Sequence, residues 1–347
     1  MSLDYNSKIS NAVQAVPPSA IRKFFDLANE MQGHVISLSI GEPDFDTPWS
    51  IREAAINSLI DGYTHYSPNS GYINSRKAIA DYLVRRYGIS YDPKSEILIT
   101  VGGSEGLDLA ARALINPGDE VVIVEPCFVA YKATVEFAHG VPVIVSTKPE
   151  NDYKLSPEEL ESAITDKTKY IIVGYPNNAE LKDRVVMVNG FSKSYAMTGF
   201  RVGYLAGPKE LIAPMFKIHQ YCIMCAPSTS QYAVVEAAMN ADGEIKKMRD
   251  EYNHRRRVII QGLKDAGLDC FTPYGAFYAF PSIKSTGLSS EEFCERFLLE
   301  KHVAMVPGNA FGACGEGFVR ISYAASLEDI KEAMKLLKEF VEELKKG

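Results

Sequence analysis

Several things that would send this chain to a membrane, a nucleic acid or a nicotinamide are missing from it. No apolar run is as long as a bilayer span, and the N-terminus lacks the charged-then-apolar form of a signal peptide, so the cytoplasm is the expected compartment and no membrane partner is expected. Lys plus Arg number 37 against 44 for Asp plus Glu, a formal charge of −7, which argues against a general affinity for nucleic acid. Neither G-x-G-x-x-G nor G-x-x-x-x-G-K-[ST] occurs, which leaves a dehydrogenase of the nicotinamide type without its phosphate fingerprint. The six cysteines are scattered. Their one C-x-x-C, Cys222 and Cys225, has no second ligand pair and does not open a helix after a strand, so packing cysteines are expected and no metal site. No internal repeat or low-complexity tract is visible.

What is present reads as an ordinary globular protein. A chain of 347 residues is long for one core, and 46% hydrophobic content can fill two lobes. From Glu96 onward, strand-like runs alternate with helical patterns: EILITV, LDLAARALI, EVVIVE, a helix to Phe137, VPVIV, KYIIVG, VVMVN and VGYLAG. That alternation predicts the α/β class, a mostly parallel sheet with helices on both faces. After Tyr252 the pattern changes to a long helix, GAFYAFPSI, a helix from Ser289 to Lys301, VAMVP, FVRISYA and a last helix, which together predict a smaller α+β lobe. The basic run Arg255 to Arg257 falls inside the first of these helices and reads as a solvated face.

One stretch carries most of the chemistry. In VVMVNGFSKSYAMTGFRVGYLA, a β-branched strand is broken by GFSKS, which places Lys193, and Arg201 follows beside the same loop. A lysine amine forms a Schiff base with an aldehyde, and a guanidinium that never deprotonates holds a phosphate. Pyridoxal 5′-phosphate carries both groups. Without that context, a lysine after a strand reads as a solvated surface residue.

The pattern S-K-x-x-x-x-x-G-x-R-x-G, filled by Lys193, Gly199, Arg201 and Gly203, resembles the lysine signature of the class I and II, fold-type I, PLP-dependent aminotransferases. The likeness runs along nearly the whole chain through SIGEPDFDTP, HYSPNSGY, TVGGSEGL, EPCFVAY, YPNN and FVRISYA. It implies a large cofactor-binding domain over 43–252, a discontinuous small domain from 1–42 and 253–347, and a site where the lobes meet. Gly103, Ser104 and Glu105, in a turn that could also be merely structural, become the phosphate cradle, whose helix-start amides face an anion. Phe128, otherwise a core aromatic, becomes the ring that lies against the pyridine. Tyr66 matches the tyrosine that reaches the phosphate of the partner subunit's cofactor, which implies a homodimer. Arg320, otherwise on the wet face of a strand, becomes the fork that grips the substrate α-carboxylate, with Gly41 in the same substrate site. Asn178 in YPNN corresponds to the asparagine on the cofactor's phenolic oxygen and the carboxylate.

At Asn178 the likeness breaks off. The family continues through a helix and a strand with the aspartate for the pyridine nitrogen, then a tyrosine, whereas this chain goes directly to AELKDRVVMVNG. Asp183 matches a loop residue, not that aspartate. The sequence either lacks the segment or joins two stretches across residues it does not include, and the second is the expectation, because removing an internal strand leaves unpaired backbone groups and a void. The activity implied is an amino acid:2-oxo acid aminotransferase working by a ping-pong cycle through a Lys193 Schiff base, with aspartate and 2-oxoglutarate as the leading substrates. The alternatives are another fold-type I reaction, such as a carbon-sulfur lyase or a synthase, or, if the deletion is real, a non-catalytic protein that binds PLP or an amino acid.

Overall fold

The computed structural model describes residues 5–18, 20–31, 33–174 and 179–346. In chain order the helices are α1 (Asn11–Ala15), α2 (Ala20–Glu30), α3 (Trp49–Ile60), α4 (Ile73–Tyr87), α5 (Gly102–Leu114), α6 (Ala130–Phe137), α7 (Pro157–Ala163), α8 (Lys209–Cys222), α9 (Ser228–Asn240), α10 (Asp242–Asp265), α11 (Ser290–Lys301) and α12 (Leu327–Leu344). The strands are β1 (Ile36–Ser37), β2 (Ile97–Thr100), β3 (Glu120–Glu125), β4 (Val141–Ser146), β5 (Thr168–Ile172), β6 (Met187–Gly190), β7 (Gly203–Ala206), β8 (Tyr278–Ala279), β9 (Val303–Ala304), β10 (Val306–Pro307) and β11 (Val319–Ser322). Side-chain caps start several helices: Ser156 and Glu159 form a reciprocal capping box on α7, and Ser289 and Ser326 accept from Glu292 and Asp329 backbone N–H groups.

The chain groups into two compact units. One runs up to Asp44 and includes Pro117–Val173 and everything from Arg249; the other is Phe45–Asn116 with Gly174–Met248. This grouping differs from the 43–252 division that the resemblance implies.

In the second unit the sheet order is β2-β7-β6, with β7 antiparallel to both neighbours. The period of two along a strand sorts its side chains between two cores. Leu98 and Leu205 pack with Leu109 of α5 and Ile212 and Met215 of α8. Ile97, Ile99 and Tyr204 pack with Ile79 and Leu83 of α4 and Val234 of α9. Helices thus cover both faces, as the alternation predicted.

In the first unit β3 is central and parallel to β4 and β5, and Val121, Val122 and Ile123 have no exposed surface. The terminal segments build a further core in which Phe24, Leu38, Ile259, Phe293, Phe297, Ile321, Leu337 and Phe340 meet, floored by the β10-β11-β8 sheet. Helix α12 enters it with Ile330, Ala333, Met334, Leu337, Phe340 and Val341, the helical repeat read from its sequence.

Two expectations change. The basic run is not all solvated: Arg255 is buried on α10, with Nη1 2.7 Å from Asp44 and Nε 2.9 Å from Glu251. Cys222 is exposed, its Sγ 3.2 Å from Nη1 of Arg112, so it does not pack as a core residue.

Candidate active site

Within the second unit, the β6–β7 connection is a stapled loop. Phe191 is buried against Tyr195 (5.2 Å between centroids) and Tyr204 (5.9 Å), and Met197 is fully buried. The Thr47 hydroxyl donates to the Ala196 carbonyl, and the Ser230 hydroxyl to that of Phe200 at 2.6 Å. With its apolar residues anchored, the loop presents Lys193 and Ser194 on the surface. Arg201 closes the loop in the left-handed region at φ 49°, its Nη1 donating to the Thr198 carbonyl at 3.2 Å.

Opposite this loop lies the turn from β2 into α5. Gly102 has φ +78°, and a Cβ there would stand 3.0 Å from Nη2 of Arg201. A Cβ on Gly203 would lie 2.7 Å from the Asn189 carbonyl oxygen and 2.9 Å from the Gly103 nitrogen. Only glycine allows strand and turn to approach this closely. The result brings Gly103, Ser104 and Arg201 together: the amides at a helix start, unobstructed by side chains, beside a guanidinium. That is the donor set of an anion site. Glu105 is there too, but its carboxylate is committed elsewhere, accepting from the Val101 N–H at 2.5 Å and lying 2.6 Å from Nδ1 of His219.

Within the first unit, Arg320 on β11 is enclosed by aromatic rings, its Cζ 4.4 Å from the Tyr278 ring and 4.6 Å from Phe311. Nη2 donates to the Ser39 carbonyl at 2.5 Å, while Nε is buried with no partner among the described residues. Burial lowers this group's pKa from its ordinary value, a direction that an incoming carboxylate would reverse. Gly41 belongs to the same place, since a Cβ there would be 2.1 Å from the Tyr278 hydroxyl oxygen. The EPCF loop is tied in through the Cys127 N–H, which donates to the Phe311 carbonyl at 3.0 Å, and Phe128 beside it is half exposed against Tyr131. Sequence reasoning missed Tyr278, hidden in the strand-like run GAFYAFPSI, and His219, a lone histidine on the mixed helix KELIAPMFKIHQYC.

Two other sequence candidates remain. Tyr66, in the second unit, is 78% exposed and follows His65, whose carbonyl accepts from Ser228 at 2.7 Å. Asn178 lies outside the described residues.

The family described as Aminotransferase class I and II matches residues 33–180 and 179–337, nearly the whole chain. The chain belongs to this family. As an aminotransferase it is similar to the Bacillus subtilis protein YugH, itself named as an aminotransferase, with 44% identity over 381 residues, 96% of this chain and 98% of that one. It is 39% identical to the aromatic-amino-acid aminotransferase 2 of Thermococcus litoralis over 97% of this chain and 99% of that one. Among solved structures, the aspartate aminotransferase from Thermus thermophilus with maleate matches with a TM-score of 0.91 and 33% identity, covering 95% of this chain and 99% of that one. The two family matches meet at residues 179–180, beside the break seen at Asn178. The YugH alignment of 381 positions takes up 96% of a 347-residue chain, so several tens of its positions have no counterpart in this aminotransferase.

Proposed function

We propose that this aminotransferase moves the amino group of an L-amino acid to a 2-oxo acid in a ping-pong cycle, with pyridoxal 5′-phosphate as its cofactor and aspartate with 2-oxoglutarate as its leading pair. The observation that carries the reading is the buried Nε of Arg320, without a partner among the described residues, beside a Gly41 that admits no side chain. A buried guanidinium donor left without an acceptor is costly, and a carboxylate restores both the hydrogen bond and the charge balance.

The residues of the second unit fit the cofactor. The Gly103–Ser104–Glu105 amides and Arg201 suit its phosphate, supported by the close approach of Gly102 to Arg201. The cofactor, when bound, supplies an electron sink and a temporary carrier for the amino group. Lys193 would hold the cofactor through its Nζ and would move the proton at the substrate Cα. In this reading Phe128 would serve the ring, Asn178 its phenolic oxygen and the substrate carboxylate, and Arg320 with Gly41 that carboxylate. No residue of this chain is assigned to the pyridine nitrogen.

A cytoplasmic homodimer completes the reading, with 43–252 as the cofactor domain and Tyr66 serving the partner's cofactor. Exposed apolar residues of α3, the helix that precedes Tyr66 in the chain, support it: Leu59 at 54%, Ile60 at 75% and Trp49 at 60%. No helix among the described residues is long and apolar enough to cross a membrane. Half-reaction rates with aspartate, alanine, phenylalanine and leucine test the substrate. Aspartate among the slowest overturns that pair, and phenylalanine in front transfers the assignment to aromatic substrates, which the name of the Thermococcus litoralis relative favours.

A further inference from the structure

The phosphate turn contains an electrostatic contradiction: a carboxylate, Glu105, sits in the first turn of the helix whose amides are to bind an anion. A negative side chain free to swing toward Gly103 and Ser104 would compete for the same N–H groups and repel a phosphate. Instead, both of its oxygens are occupied. Oε2 accepts from the Val101 N–H at 2.5 Å, behind the turn, and Oε1 lies 2.6 Å from Nδ1 of His219 on α8. A carboxylate here only accepts, so Nδ1 carries the hydrogen.

His219 has no exposed surface, and its Nε2 is buried without a partner among the described residues, so the ring's single polar engagement is with Glu105. A buried histidine with half its hydrogen-bonding capacity unused is a poor choice for packing alone. We propose that His219 is a positioning residue for the phosphate turn: it holds the Glu105 carboxylate back on Val101, shaping the turn and keeping negative charge off the amides at Gly103 and Ser104. The proposal rests on the reading of that turn as the cofactor's phosphate site.

The test is the equilibrium affinity of the cofactor-free protein for pyridoxal phosphate and for pyridoxal, which lacks the phosphate, measured by absorbance titration of the wild type and of His219→Leu, His219→Asn and His219→Gln. His219→Leu is expected to weaken pyridoxal phosphate about tenfold or more, the loss of one hydrogen bond to a charged group, while leaving pyridoxal within about twofold. Asn places its amide where Nδ1 stands and should restore most of the affinity, whereas Gln reaches toward Nε2 and should not. Equal losses for both ligands, or no loss, overturn the proposal. If His219→Leu does not fold, the Asn and Gln variants decide, and equal phosphate-ligand affinities in these two overturn it. A wild type that does not prefer pyridoxal phosphate to pyridoxal overturns instead the phosphate reading beneath it.

Discussion

The anion turn of the second unit and the arginine pocket of the first solve similar problems with different materials. The turn is made of backbone: a Cβ on Gly203 would meet backbone atoms of Gly102 and Gly103 at 2.8 and 2.9 Å, and Arg201 is added at the rim. The pocket is made of side chains, one guanidinium between two rings with one donor left without a partner among the described residues. A backbone site is specified by shape and fails when shape is lost, whereas a side-chain site is specified by chemistry and can be emptied without unfolding.

Variants of the two sites break that comparison apart. The largest effect belongs to the loop between them in sequence: Lys193→Ala is expected to lower turnover by more than about a thousandfold while leaving much of the cofactor binding, with stopped assays and absorbance titration as the readouts. An undiminished rate removes Lys193 from the mechanism. Next, Arg320→Lys keeps the charge and loses the fork, so kcat/KM for an amino acid should fall by roughly a hundredfold, with the thermal midpoint unchanged. Gly203→Ala should behave in the opposite way. Its Cβ meets backbone atoms that cannot rotate aside, so stability should fall by about 1–3 kcal/mol in chemical denaturation, with cofactor affinity falling alongside.

The smallest effect sharpens the contrast within the first unit. Burial raises the Glu125 carboxyl above its ordinary range, beside Gly312, where a Cβ would stand 2.1 Å from Oε2. The folded protein therefore holds that proton more tightly than the unfolded chain does. The stability this contributes is full below the ordinary carboxyl range and is lost as pH rises through the raised value. Glu125→Gln should accordingly raise the thermal midpoint slightly at pH 8 and not at pH 4; a gain of equal size at both shows that packing, not ionisation, is responsible.

Much of this was legible along the chain. The strand and helix types came from periodicity, a local property, and the Lys193 loop and the Gly102–Glu105 turn came from glycines and polar residues interrupting buried strands. Less legible was anything that depends on which residues distant in sequence share a space. Arg255 read as one of three solvated arginines, because only the packing of α10 shows that its face meets Asp44. Tyr278 read as a strand residue until its hydroxyl was found against Gly41 and its ring over Arg320.

The sequence by itself determined the element types, the charge balance that argues against nucleic acid, and a lysine and an arginine beside one loop, because spacing and composition act over a few residues. Only the tertiary structure decided that Glu105 turns its carboxylate from the amides toward a histidine 114 positions away, and that Arg320 buries one donor without a partner among the described residues. Those outcomes depend on burial, and burial is a property of the whole packed chain, not of any segment of it.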